Sequence, residues 1–165
     1  MINKDSLFKE IFNANSSKIY HLCLGYACDE DVANDLMQET FIKVWQNLEG
    51  FRNQSQLSTW IYRIAVNTCL SYLRVEKRKN NDPLNSEHIE NLADEPSPKQ
   101  DQINQLYKSI SHLEENERMI ITMVLDEISY PEIAEVFGIS EGNLRVRIHR
   151  IKQKLTRIYN QYERF

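Results

Sequence analysis

Five aliphatic residues, Leu144, Ile148, Ile151, Leu155 and Ile158, follow one another at spacings of four, three, four and three. That rhythm fits a helix with a single buried stripe. What precedes it is as restrictive. Ser129 or Tyr130 can cap a short helix with Pro131 in its first turn. Gly138 can end that helix in the left-handed region, where a side chain would be unfavourable. Ile139 then plugs the core, and the Ser140 hydroxyl can cap the long helix. Two helices joined by a short turn containing glycine, with the small Ala134 where they cross, form a helix-turn-helix. Its outward residues are Asn143, Arg145, Val146, Arg147, His149 and Arg150. The first turns would enter the major groove of duplex DNA and the later basic groups would meet phosphates. Arg145 or Arg147 can reach guanine through two hydrogen bonds, and Asn143 can read adenine or hold a phosphate. The competing interpretation is a helical hairpin whose basic face only keeps it in solution.

The rest of the chain is equally helical in pattern. Four glycines and four prolines in 165 residues are too few for a strand-rich fold full of tight turns. Three of the prolines, Pro83, Pro96 and Pro98, stand among acids and asparagines with few apolar neighbours, which is linker chemistry. The expected architecture is all-α: two small helical domains, 1–79 and 99–165, joined by a flexible acidic linker over 80–98. The length of that linker leaves the spacing of the two modules open.

Three helices are predicted in the first module. Asp5 can cap one holding Leu7, Phe8, Ile11 and Phe12 and continuing through Leu24. Asp29 can cap a second that carries Ala33, Met37, Thr40 and Val44 on one stripe and stops near Gly50. Ser58 can cap a third, from Thr59 to about Lys79, with Ile61, Ile64, Ala65, Thr68, Cys69, Tyr72 and Leu73 inside. Its opposite face reads Thr59, Arg63, Asn67, Ser71, Arg74, Arg78, every member polar or cationic. In the second module, Ile103, Leu106, Ile110 and Leu113 mark one helix, and the stretch from Glu115 to about Asp126 marks another.

A net charge of −4 is at first sight wrong for a DNA binder. The distribution resolves this, because residues 52–79 carry +5, residues 142–165 carry +6, and the remainder sums to −15. Two basic stripes on an acidic body fit phosphate contact at two places. Other classes find no support. Cys23, Cys28 and Cys69 lack paired spacing and read as small buried hydrophobes, and the four histidines do not cluster near them to hold zinc. No phosphate-cradling glycine loop or nucleophile–base constellation argues for an enzyme, and no cofactor is expected. With no apolar run of about 18 residues and no signal-peptide pattern after Met1, no membrane insertion is expected and the cytoplasm is the expected location.

The assembled motifs resemble the sigma-70 family of bacterial transcription initiation factors, in particular its compact extracytoplasmic-function group. The matching text in the first module is Asp35-Leu36-Met37-Gln38-Glu39-Thr40-Phe41-Ile42-Lys43-Val44-Trp45, then Phe51, then Ser58-Thr59-Trp60-Ile61-Tyr62-Arg63-Ile64-Ala65-Val66-Asn67 and Leu73-Arg74. In the second it is Glu132-Ile133-Ala134, Gly138-Ile139-Ser140 and Arg145-Val146-Arg147-Ile148-His149-Arg150. Asn143-Leu144 and Val146 depart from the commonest family text, so a promoter preference does not carry over.

The resemblance implies a factor without catalysis of its own that binds core RNA polymerase and directs promoter recognition and strand opening. Asp35, Gln38, Glu39 and Ile42 would dock on the clamp helices of the polymerase β′ subunit, with the β subunit as a further surface. This helix bears acids and an amide beside an apolar residue, and no basic group for DNA on that face. Arg52, Asn53, Gln54, Ser55 and Gln56 would line a pocket for an extruded base of the −10 element. Arg63, Asn67, Arg74 and Arg78 would line a cationic groove for the strand, and Trp60 would stack on DNA or fill the core. Flipping a base costs a few kcal/mol, which such a pocket and groove can offset. Ser140, Asn143, Arg145, Val146, Arg147, His149, Arg150 and Lys154 would bind the −35 element as duplex. An anti-sigma partner is a further implication. The alternative is a helix-turn-helix regulator that binds duplex DNA without being a polymerase subunit.

Overall fold

The structure, a computed structural model, describes residues 3–79 and 98–162, with residues 77–79 and 98–100 described in backbone alone. The linker expected over 80–98 therefore falls, apart from Pro98, outside the described residues. Seven α-helices and one 3-10 turn account for the described elements: α1 Lys4–Ala27, α2 Glu30–Asn47, the turn Leu48–Gly50, α3 Leu57–Lys79, α4 Pro98–Ser111, α5 Glu115–Leu125, α6 Tyr130–Phe137 and α7 Glu141–Tyr162. None of the helices is long and apolar enough to cross a membrane among the described residues.

Local chemistry sets most boundaries. Helix α1 is capped by Asn3, whose side chain accepts from the Asp5 backbone N–H, so Asp5 lies in the first turn and is not the cap expected from the sequence. An asparagine supplies the same acceptor two residues earlier. Asp29 caps α2 as expected, accepting from Val32 N at 2.9 Å. Ser58 does not cap α3. The helix begins at Leu57, with Trp60 N bonded to Gln56 O at 3.1 Å, and the Ser58 hydroxyl is engaged by Glu132 of α6. A tertiary acceptor has taken a donor that sequence assigned to a local role.

Helices α1, α2 and α3 pack around Ile19, Leu22, Ala33, Leu36, Val44, Ile61 and Ala65, all essentially inaccessible to solvent. Helices α4 to α7 close around Ile110, Met119, Ile120, Ile133, Leu144 and Ile151. The two sets of buried side chains form one continuous apolar cluster. Although the linker length left the spacing of the modules open, they meet directly, α5 against α1 and α6 against α3. Cys23 and Cys69 are buried as small hydrophobes, whereas Cys28 is exposed and closes α1 with φ of 54°.

Candidate polymerase and nucleic-acid interfaces

Three surfaces are built by these helices. On α2, Asp35, Gln38, Glu39 and Ile42 lie at i, i+3, i+4 and i+7, on one face, and all four are exposed. Ile42 is 56 % exposed, a large aliphatic side chain left in solvent beside acids. The opposite face of α2 buries Leu36, Thr40, Phe41 and Val44, which fixes how the stripe is presented. Lys43 stands next to it but is turned aside, pairing with Glu39 at 2.7 Å and donating to the Thr68 hydroxyl at 3.2 Å.

The second surface is the loop before α3 and the outer face of that helix. Arg52, Asn53, Gln54 and Gln56 are exposed and Ser55 is half-buried. Asn53 has φ of 53°, a left-handed turn that asparagine tolerates better than most residues. Trp60 packs against Phe51 with ring centroids 5.0 Å apart and joins the edge of the core, so of the two roles expected for it the packing one is present. Arg63, Asn67 and Arg74 are exposed along α3, while the side chain of Arg78 lies outside the described residues. Thr59 corrects the expectation of a wholly outward polar face, being only 1 % exposed beneath α6. Arg63 is also engaged: Nε and Nη2 donate to the Glu135 carbonyl at 3.3 and 3.1 Å, and Nη2 lies 3.5 Å from its carboxylate.

The third surface is the helix-turn-helix, which forms as the sequence dictates. Ser129 caps α6 by accepting from Glu132 N, and Gly138 ends it with φ of 64°. The Ser140 hydroxyl accepts from Asn143 N at 3.2 Å. Leu144, Ile148 and Ile151 are buried and Leu155 and Ile158 partly so, leaving Ser140, Asn143, Arg145, Val146, Arg147, His149, Arg150 and Lys154 exposed. Two of these are already occupied. Arg145 pairs with Glu141 at 2.5 Å, and its guanidinium sits 5.0 Å from the centre of the Tyr130 ring, a cation–π contact that the sequence did not point to. Lys154 donates to Glu117 at 2.6 Å, a bond that, with the nearby Glu114 charge, raises its pKa. It also lies about 21 Å along the helix from Ser140, beyond the first turns expected to enter a groove. Val146, 51 % exposed, is the apolar member of the outward face of α7. Arg147 and Arg150 make no ion pair among the described residues.

Sequence reading missed the contacts between modules. His21 Nδ1 lies 3.0 Å from Asp126, and Arg118 donates to the Tyr26 carbonyl at 2.8 and 3.2 Å. Gly25 follows directly on the apolar pattern that ends at Leu24, where a glycine reads as a helix end, so no local signal pointed to the crossing.

Residues 11–79 match the family model described as Sigma-70 region 2, and residues 103–155 match that described as Sigma-70, region 4. The chain is 31 % identical over 161 residues to the ECF RNA polymerase sigma-E factor of Haemophilus influenzae, covering 90 % of this chain and 85 % of that one. It is 34 % identical over 151 residues to the sigma-E factor of Escherichia coli K12, covering 84 % and 78 %. To the ECF sigma factor SigM of Bacillus subtilis it is 27 % identical, covering 92 % and 94 %. Its fold is similar to that of the sigma factor RpoE of Bartonella quintana, solved with the anti-sigma factor NepR, at a TM-score of 0.78 over 93 % of this chain and 96 % of that one, with 23 % identity.

Proposed function

This chain belongs to the sigma-70 family, in its extracytoplasmic-function group, and we propose that its three exposed surfaces divide the work of such a factor among the residues described above. The α2 stripe of Asp35, Gln38, Glu39 and Ile42 docks on core RNA polymerase. Its composition supports this, because an exposed isoleucine beside Asp35 and Glu39 suits a protein partner better than a phosphate backbone. Residues 1–79 bind polymerase and the −10 element, 80–98 link, and 99–165 bind the −35 element.

The loop from Arg52 to Gln56 receives an extruded base, and Arg63, Asn67, Arg74 and Arg78 carry the single strand. Asn143, Arg145, Val146, Arg147 and Arg150 meet the upstream duplex, with Ser140 and His149 at the margin of the contact. Here Arg145, held by Tyr130 and Glu141, is pre-oriented, whereas Arg147 is free to follow a base edge. The factor performs no chemistry itself, acts in the cytoplasm, and is a candidate for an anti-sigma partner.

The observation that carries the reading is the presence of the α2 stripe and the α3 face in the same chain as a helix-turn-helix. A plain regulator needs only the last. The deciding experiment mixes the protein with core polymerase and genomic fragments and measures factor-dependent initiation. Initiation at defined starts is expected. Tight binding of isolated duplex with no binding of core would instead favour the regulator.

A further inference from the structure

Tyr130, Glu141 and Arg145 meet where the two helices of the helix-turn-helix begin. The Arg145 guanidinium lies 5.0 Å from the centre of the Tyr130 ring, and its Nη2 donates to Glu141 Oε1 at 2.5 Å. Tyr130 is the first residue of α6, and the other two stand in the first turns of α7. An exposed ion pair four residues apart on a helix holds a long side chain weakly, because water screens it and ordering costs entropy. Glu141 and Arg145 are such groups, with 41 % and 60 % of their side chains in solvent.

The Tyr130 ring supplies a second anchor. It is half-buried, packed against the core, and set on a helix start fixed by the Ser129 cap and by Pro131. A planar guanidinium stacks on such a face and keeps its N–H edges directed outward. Of the five N–H donors of Arg145, one is engaged by Glu141. Enough remain for the two parallel bonds that guanine O6 and N7 accept. Arg147 makes neither an ion pair nor a ring contact among the described residues, so it must be ordered at the moment of binding.

Glu141 is at odds with a surface that meets a polyanion. A carboxylate is favourable at a helix N-terminus, but it repels phosphate. Its gain in a groove is selectivity. An ionised carboxylate accepts and cannot donate. Facing base edges, it takes the amino group of cytosine or adenine and refuses the O6 of guanine and the O4 of thymine. Four residues of helix rise about 6 Å, and base pairs stand about 3.4 Å apart, so Arg145 and Glu141 reach bases about two steps apart or less.

We propose that Tyr130 and Glu141 set the base preference of α7. Tyr130 is a positioning residue that stacks Arg145 so that the free guanidinium edge meets one guanine. Glu141 steadies the same guanidinium and selects an amino-bearing base, cytosine or adenine, beside that guanine. This rests on the assignment of α7 to the upstream duplex made above.

The test uses the full chain and a duplex library whose random core spans about one and a half helical turns. Bound duplexes are sequenced, and the affinity of the best wild-type sequence is followed by fluorescence anisotropy. The wild type should select one guanine, with cytosine or adenine within about two base pairs of it. Arg145→Ala should erase the guanine preference. Tyr130→Leu, which keeps apolar bulk and removes the aromatic face, should cut the preference for guanine over adenine about tenfold, whereas Tyr130→Phe should retain it. Glu141→Gln should keep the guanine and lose the discrimination beside it, because an amide donates as well as accepts. A purely structural role would lower the thermal midpoint and weaken every sequence alike, with base preferences unchanged. Unchanged preferences in folded Tyr130→Leu or in Glu141→Gln would overturn the role of that residue while α7 keeps its duplex assignment. Should Tyr130→Leu not fold, Glu141→Gln, at an exposed position, still decides. A wild type that binds the library without selecting any base would strike the duplex assignment itself, and both residues with it.

Discussion

Helices α3 and α7 each carry a polar, basic face, but α3 has another helix laid over its first turns and α7 does not. The covering helix brings acids: Glu132 and Glu135 meet Ser58, Thr59 and Arg63. On α7, the Glu141 carboxylate comes from the helix itself and ties only Arg145, leaving Arg147 and Arg150 unpaired among the described residues. Basic charge marks a surface as able to meet phosphate. What lies above it decides how much of it is accessible, and in this chain the two basic faces differ in that second respect.

The comparison can be broken most severely by undermining α7 itself. Leu144 is fully buried between α6 and α7, so Leu144→Ala should cost about 3 kcal/mol, read as a fall in the urea midpoint, and should abolish duplex binding while sparing the α2 surface. A sharper comparison pairs two arginines in the free chain. Arg147→Ala should weaken duplex binding by about 1–3 kcal/mol if it reads a base, with relaxed sequence preference; a uniform loss and a reduced salt slope would assign it to phosphate instead. Arg63→Ala should leave binding of duplex by the free chain unchanged and impair strand opening only in the presence of core polymerase. Equal losses from both in the free chain would remove the distinction between the faces.

A smaller effect is expected at the turn. Gly138 has open space around it, so Gly138→Ala meets no clash and costs only the left-handed backbone penalty of about 1 kcal/mol, measurable by thermal denaturation. The smallest is Lys154→Ala. Since Lys154 is held by Glu117 and lies far from the first turn, its loss should change the salt slope of duplex binding by less than the loss of Arg150 does.

The helix-turn-helix was legible almost to the residue because its determinants are local. A hydroxyl cap at Ser129, a glycine at 138, a second cap at Ser140 and one apolar stripe act within a few residues of themselves. The exposed stripe on α2 was reached through the family resemblance, and helical spacing accounts for Asp35, Gln38, Glu39 and Ile42 sharing one face. The α3 face was legible in composition and not in accessibility. Thr59 and Ser58 are ordinary helix-start residues in sequence, and only the arrival of Glu132 from 74 positions away buries one and diverts the other. Nothing in periodicity reports which helix faces will meet across a long connection. Gly25 reads as a helix end in sequence, and only the structure shows Thr122 of α5 against it.

Arg118 holds a carbonyl on each side of the boundary, Tyr26 O in the first module and Leu113 O in its own. Were the contact with Tyr26 lost, the guanidinium would keep its home partner and turn its other edge to water, so no cation would be stranded in an apolar surface. The Tyr26 carbonyl would likewise pass from arginine to solvent. Among the described residues, Arg118 is thus the one side chain whose bonds tie the start of α5 both to its own module and to the end of α1.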